Sequence, residues 1–172
     1  TAVGYGPTVL AAQGLGRGIY AFGPGLDVTV ENLHITGGAA DIGAGIYILN
    51  STIDFNLRNS VLYGNNADGE GGGLYSNGAT EVQFATFYDN SAGDYGGALY
   101  AAGTRNDLVV RNSAFVQNTA PLGGGALYSN ADVQILGDYN AYHANTPDAY
   151  GNVAPGDHDL AVAPAFVDAA GG

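Results

Sequence analysis

The chain has no cysteine and no lysine. Without cysteine it can build neither a disulfide framework nor a thiolate metal centre. An extracellular protein can do without disulfides, so this absence fixes no compartment. Without lysine, four arginines face sixteen acidic residues and the formal charge is −12. Such a balance argues against a nucleic-acid surface, where cations must neutralise phosphates, and against anionic membrane surfaces. It favours solubility and mutual repulsion, and leaves calcium as the one weak cofactor expectation. No run of about 20 apolar residues is present, so no membrane-inserted helix is expected. No stretch reads as a signal peptide, and Thr1 reads as a mature N-terminus or as the start of a fragment.

Windows of helical length free of glycine are also missing. Glycine supplies 29 of 172 residues without a collagen-like period, which points to many tight turns or close backbone approaches. Apolar residues make up 46% of the chain, enough for a real core. Valine, isoleucine, threonine, tyrosine and phenylalanine give it strand character.

The chain is written in repeats. Gly71 to Asn90 holds one unit: a glycine cluster, an apolar-Tyr pair, an alternating strand, and an aromatic three residues before an Asn. Tyr20, Tyr47, Tyr75, Tyr100 and Tyr128 recur at steps of 27, 28, 25 and 28 residues. The alternating pairs Val28/Val30, Phe55/Leu57, Val82/Phe84, Leu108/Val110 and Val133/Ile135 step by 27, 27, 26 and 25. Asn65, Asn90, Asn118 and Asn145, each three residues after an apolar one, step by 25, 28 and 27. Three landmarks on one period define a solenoid. The leucine-rich consensus is absent, and glycine interrupts every helical window. Two or three short β segments per unit describe one coil of a parallel β-helix, with equivalent residues about 4.8 Å apart.

The expected fold is an all-β parallel β-helix: a single domain with a partial coil at 1–17, five coils of 25–28 residues over 18–145, and an irregular last coil or cap at 146–172. Three inward ladders are expected. Val28, Phe55, Val82, Leu108 and Val133 form one; Val30, Leu57, Phe84, Val110 and Ile135 a second; Ile19, Ile46, Leu74, Leu99 and Leu127 a third. Each buried side chain contributes about 1.5–3 kcal/mol. Alternation turns Thr29, Asn56, Gln83, Val109 and Gln134 outward. The third coil reads as two residues short between its strand and Asn90, and Gly37 stands where coil one lacks the Asn. Neither end shows the polar cap a solenoid needs, so the chain is a piece of a longer one or its open ends pair with other subunits.

Gly96-Gly97-Ala98-Leu99 with Phe87-Tyr88-Asp89-Asn90, and Gly124-Gly125-Ala126-Leu127 with Phe115-Val116-Gln117-Asn118, resemble the polymorphic outer membrane protein repeat of secreted β-helix proteins. Gly71-Gly72-Gly73-Leu74 is a close variant, and the likeness runs from about Gly18 to Asn145. The tail Ala163-Pro164-Ala165-Phe166-Val167-Asp168 resembles a segment that follows such repeats in anchored surface proteins. The resemblance implies a right-handed β-helix, secretion to the cell surface, and adhesive or structural roles, with no catalytic residue to carry over.

Candidate sites follow from the ladders. Tyr20, Tyr47, Tyr75, Tyr100 and Tyr128 should form an outward stripe, either a glycan platform or assembly contact or a self-stacked stiffener. Asn65, Asn90, Asn118 and Asn145 read as a structural turn ladder, since Asn tolerates left-handed backbone and its amide can bond its neighbour. Glu31, Arg58 and Arg111 share one outer position, and Glu31 could pair with Arg58. Polysaccharide lyases and glycosidases are the enzymatic alternative. A lyase base and cation cluster are missing, and Asp68 and Glu70 near Asp94 are the sole candidates for facing carboxylates. Asp41 and Asp107 read as turn residues. Asp157-His158-Asp159 offers a weak ligand set, His34 and His143 read as structural, and Asn50-Ser51-Thr52 fits a glycosylation acceptor. The expectation is a non-enzymatic extracellular solenoid, adhesive or filament-forming by end-to-end stacking. A polysaccharide-active or carbohydrate-binding module is the alternative, with glycans as possible partners.

Overall fold

In the computed structural model, short runs of alternating apolar and polar residues become strands, and a residue in left-handed backbone ends many of them. The structure describes residues 7–103, 108–130, 133–147, 150–151, 153 and 155–162. Before the first full coil lies β1 (Thr8–Ala11). Coil one holds β2 (Ile19–Ala21), β3 (Asp27–Glu31), β4 (Leu33–Thr36) and β5 (Ala39–Ala40). Coil two holds β6 (Ile46–Ile48), β7 (Asp54–Arg58), β8 (Val61–Tyr63) and β9 (Asn66–Ala67). Coil three holds β10 (Leu74–Ser76), β11 (Ala79–Gln83), β12 (Thr86–Tyr88) and β13 (Ser91–Ala92). Coil four holds β14 (Leu99–Ala101), β15 (Leu108–Arg111) and β16 (Ala114–Val116). Coil five holds β17 (Leu127–Ser129), β18 (Ile135–Asp138) and β19 (Ala141–His143), and β20 (Tyr150–Gly151) follows.

Every pairing between these strands is parallel and joins one coil to the next. One sheet runs β1-β4-β8-β12-β16-β19, a second β2-β6-β10-β14-β17-β20, a third β3-β7-β11-β15-β18, and a small fourth β5-β9-β13. The chain is a parallel β-helix, with no helix among the described residues. β1 pairs with β4, β20 pairs with β17, and Leu160 bridges to Ala141. The tail motif Ala163 to Asp168 lies outside the described residues, as does Asp107.

The corners explain the repeat. Asn32, Asn59, Phe84, Asn112 and Tyr139 turn the chain from the third sheet to the first, all at positive φ between 46° and 58°. Gly37, Gly64, Asp89, Gln117 and Ala144 do the same at the next corner. At the glycine cluster, Gly96 takes φ 66°, and Gly97 lies against the carbonyl oxygens of Thr119 and Gly125 on the next coil. One glycine supplies the turn and the other the close approach.

The ladders need correction in two coils. Ile19, Ile46, Leu74, Leu99 and Leu127 form one column. In the third sheet, however, the columns are Val28, Phe55, Thr80, Leu108, Ile135 and Val30, Leu57, Val82, Val110, Gly137. Val82 therefore lies between Leu57 and Val110, not between Phe55 and Leu108. Val133 is buried but precedes β18, and Phe84 stands 58% exposed at the corner. The outer column of Thr29, Asn56 and Val109 is completed by Glu81 and Leu136; Gln83 also turns outward, in the column of Arg58 and Arg111, and Gln134 is exposed just before β18.

The cause is a shortened loop. Asn77 and Gly78 alone separate β10 from β11, where five residues separate β6 from β7. From the strand to the Asn the spacing is constant: Thr80 to Asn90 spans ten residues, as do Phe55 to Asn65 and Leu108 to Asn118. Thr80 takes the apolar place, and its hydroxyl meets the buried Ser76 hydroxyl at 2.6 Å. By the same spacing Gly38, not Gly37, is the coil-one counterpart of Asn65, and its N–H donates to Asn65 Oδ1 at 3.0 Å.

Inside, Phe87 stacks on Phe115 with centroids 5.0 Å apart, and Phe115 on Tyr142 at 5.1 Å, both pairs within 8° of parallel. Aromatic side chains in register give the core a stack along the axis.

Candidate functional site

Tyr20, Tyr47, Tyr75, Tyr100 and Tyr128 occupy one register position of the second sheet. Each follows a buried Ile or Leu column or its partly buried first member, so strand alternation turns them outward. Their rings meet each other. Tyr20 and Tyr47 stack at 5.3 Å, Tyr75 and Tyr100 at 5.2 Å, and Tyr100 and Tyr128 at 5.4 Å. Tyr47 meets Tyr75 edge to face at 5.1 Å. Phe22 extends the stripe beside Tyr20, and Tyr95 beside Tyr128. The Arg17 guanidinium lies over Tyr47, 4.9 Å from its centroid, while Arg17 pairs with Asp41 and donates to the Ile42 carbonyl.

Stacking covers most ring faces with neighbouring rings, so the stripe offers outward edges rather than a row of open faces. Burial, then the charges of Tyr47, Tyr100 and Glu70, pushes the Tyr75 hydroxyl up to about 12. Tyr47 and Tyr100 are raised in the same sense, again chiefly by burial. The middle of the stripe is therefore uncharged at neutral pH. The Asp41 carboxyl is held below its ordinary range, first by the Ile42 N–H and then, against desolvation, by Arg17.

The Asn ladder lies inside the wall. Asn65 Nδ2 donates to Asn90 Oδ1 at 2.9 Å, Asn90 Nδ2 to Asn118 Oδ1 at 3.0 Å, and Asn118 Nδ2 to Asn145 Oδ1 at 2.9 Å. The backbone N–H of each lower residue donates to the same oxygen. Each amide also reaches a carbonyl one coil back: Ile35, Leu62, Phe87 and Phe115 in turn. These side chains are polar struts, buried at Asn65, Asn90 and Asn118 and half-buried at Asn145.

Sequence reasoning missed a second strut column just after the first corner. Leu33 N–H donates to Ser60 Oγ, Ala85 N–H to Ser113 Oγ, Ser113 N–H to Asn140 Oδ1, and Asn140 N–H to Asp159 Oδ1. The signal was present: each small or polar residue follows the corner residue directly.

The remaining candidates fall into place singly. Glu31, Arg58 and Arg111 share a column with Gln83 and Asp138. Arg58 pairs with Glu81 at 3.4 Å instead of Glu31, because the corrected register turns Glu81 outward on the next coil. Glu31 accepts from Asn59 Nδ2 at 3.3 Å. Asp68 is exposed, while Glu70 and Asp94 are half-buried at the same corner, Asp94 beside Gly69. Among the described residues no group of three or more His, Asp or Glu side chains could hold a metal ion.

The Asp157-His158-Asp159 run is a staple. His158 Nδ1 meets Asp138 at 3.1 Å, its ring stacks on Tyr139 at 4.4 Å, and Asp159 also accepts from Gly156 N–H. Burial would raise the Asp138 carboxyl, but the hydrogen bonds from His158 outweigh it and hold it low. His34 meets Tyr63 edge to face at 6.4 Å, and His143 is exposed on β19. Asn50 Oδ1 accepts from the Thr52 N–H and hydroxyl, both at 2.9 Å.

Two exposed aromatics were also missed as a pair. Phe84 and Tyr139 hold the left-handed corner position that Asn32, Asn59 and Asn112 fill in the other coils. With Asn112 they rim a cleft of about 380 Å³ floored by Ala85, Thr86, Ser113, Ala114 and Ala141. Thr86 also borders a second hollow lined by His34, Val61, Tyr63 and Tyr88.

Residues 85–102 match the Chlamydia polymorphic membrane protein repeat. The matched stretch contains both Phe87-Tyr88-Asp89-Asn90 and Gly96-Gly97-Ala98-Leu99, one strut corner and one glycine corner. One stretch of the parallel β-helix is thus similar to this repeat. No curated protein and no solved structure gives a significant match to it.

Proposed function

We propose that the chain is the β-helical body of an extracellular surface protein, with structural or adhesive work done by the sides of the rod. The observation that carries this reading is the match of residues 85–102 to a repeat described from Chlamydia membrane proteins, on a rod that repeats the same corners throughout. The net charge of −12 supports a solvated, self-repelling surface. Assembly through strand edges belongs to the same reading: among the described residues β1 pairs on one side only, with β4, and all four of its residues are exposed. An unpaired strand edge recruits another chain, and repeated head-to-tail pairing gives a filament. We read the rod as non-enzymatic and as needing no cofactor.

Antibodies against residues 71–145 should label intact producing cells. Labelling only after permeabilisation would contradict a surface location. Sedimentation velocity over a concentration series should show growing head-to-tail species, whereas a monomer at every concentration would contradict edge assembly and leave the surface location standing.

A further inference from the structure

We propose that Phe84 and Tyr139 clamp one ring of an uncharged glycan across Asn112. This rests on the corner cleft and is independent of the surface reading above.

Left-handed backbone suits Asn and Gly and costs other residues about 1–2 kcal/mol. Three of the five coils place Asn at this corner, while Phe84 and Tyr139 bear the strain. Both are large, and they are 58% and 57% exposed. Phe84 stacks on no ring among the described residues. Tyr139 packs one face on His158, but at Phe84 strain and exposed apolar area occur together without a ring partner, which marks a position kept for something outside the fold.

The geometry selects the ligand. Phe84 and Tyr139 lie two coils apart, so their backbones are separated by roughly 10 Å along the rod. Two van der Waals contacts take up about 7–8 Å of that gap. The remainder suits a puckered saturated ring better than a flat one. Aromatic faces receive the C–H faces of a sugar, while the exposed Asn112 amide between them and the Thr86 hydroxyl are placed for its hydroxyl groups. One wall is braced: His158 stacks on Tyr139 within 3° of parallel and is held by Asp138. A braced ring loses little freedom on binding. None of the residues lining the cleft is charged, which favours an uncharged sugar over an anionic one.

The corner itself supplies the control, because Asn already stands there in coils one, two and four. Phe84→Asn and Tyr139→Asn should fold. Titration calorimetry and saturation-transfer NMR would use neutral hexasaccharides of glucose, N-acetylglucosamine, xylose, mannose and galactose, with a galacturonate hexasaccharide as the anionic counter-probe. The wild-type chain should bind at least one neutral probe and not the anionic one. Each variant should weaken that binding about tenfold without lowering the melting temperature. Binding of no neutral probe, preference for the anionic probe, or undiminished binding in both variants would overturn the proposal. So would binding lost in Tyr75→Ala but kept in Phe84→Asn.

Discussion

Asn90 donates twice to a single atom of the coil above: its backbone N–H and its Nδ2 both end on Asn118 Oδ1, at 3.1 and 3.0 Å. Its own Oδ1 receives the same pair from Asn65. With the bond from its Nδ2 to the Leu62 carbonyl, the buried amide is satisfied on every side. The corner is thereby locked to its neighbours by side chains as firmly as the sheets are by backbone.

Asn90→Ala should be among the costliest polar substitutions. It removes the acceptor of the buried Asn65 N–H and of one Asn65 amide N–H, and the side-chain donor to the Leu62 carbonyl. Leaving such groups unpaired costs about 1–3 kcal/mol each, so we predict a loss of about 3 kcal/mol or more in urea unfolding. Asn145→Ala, at the half-buried end of the ladder, should cost about half as much.

Gly97→Ala should be worse than its one methyl suggests. The new Cβ would be driven onto the carbonyl oxygens of Thr119 and Gly125, which are backbone atoms already engaged between coils. We predict a loss of at least about 3 kcal/mol, or failure to accumulate as soluble protein. A variant with wild-type melting would show that the coils are not in contact there.

Phe84→Asn should move the other way. It removes an exposed ring and suits the left-handed corner at φ 52°. A gain of about 1 kcal/mol is expected, read as a higher midpoint in thermal circular dichroism.

The tyrosine stripe predicts an alkaline limit. Tyr75 is raised from 10.0 to about 12 because the folded state resists its charged form. The folded chain therefore holds this proton more tightly than the unfolded one, and its contribution to stability is complete below pH 10 and declines through about pH 12. Ultraviolet titration of tyrosinate should show Tyr47, Tyr75 and Tyr100 ionising above the ordinary tyrosine range, with unfolding accompanying that late phase. A single ordinary titration with the fold intact would contradict the stacked stripe.

The parts of the fold that could be read in the sequence are those fixed at corners. The Asn ladder, the tyrosine stripe and the Ile19-to-Leu127 column each sit at constant distance from a turn, so their period survives. The third sheet was harder, because Thr80-Glu81-Val82-Gln83 and Val82-Gln83-Phe84 both alternate plausibly. Hydrophobicity prefers Val82 and Phe84 inward. The backbone prefers Thr80 and Val82, because ten residues must separate the first inward side chain from the Asn. Thr80 is tolerated inside because Ser76 meets its hydroxyl, a partner that becomes adjacent only after the two-residue loop at Asn77-Gly78. The corner cleft escaped notice for the same reason, since Phe84 was assigned to the core.

Coil-on-coil register is the central claim, and a chain without cysteine lets paired cysteines test it directly. Glu81 and Val109 are outward register partners on adjacent coils, about 4.8 Å apart and within disulfide reach. Gln83 and Val109 are two residues out of step, roughly 8 Å apart and beyond it. Mild oxidation should close an intramolecular disulfide rapidly in Glu81→Cys/Val109→Cys and scarcely at all in Gln83→Cys/Val109→Cys. The reverse ranking would contradict the register, and equal failure of both pairs would contradict the β-helix.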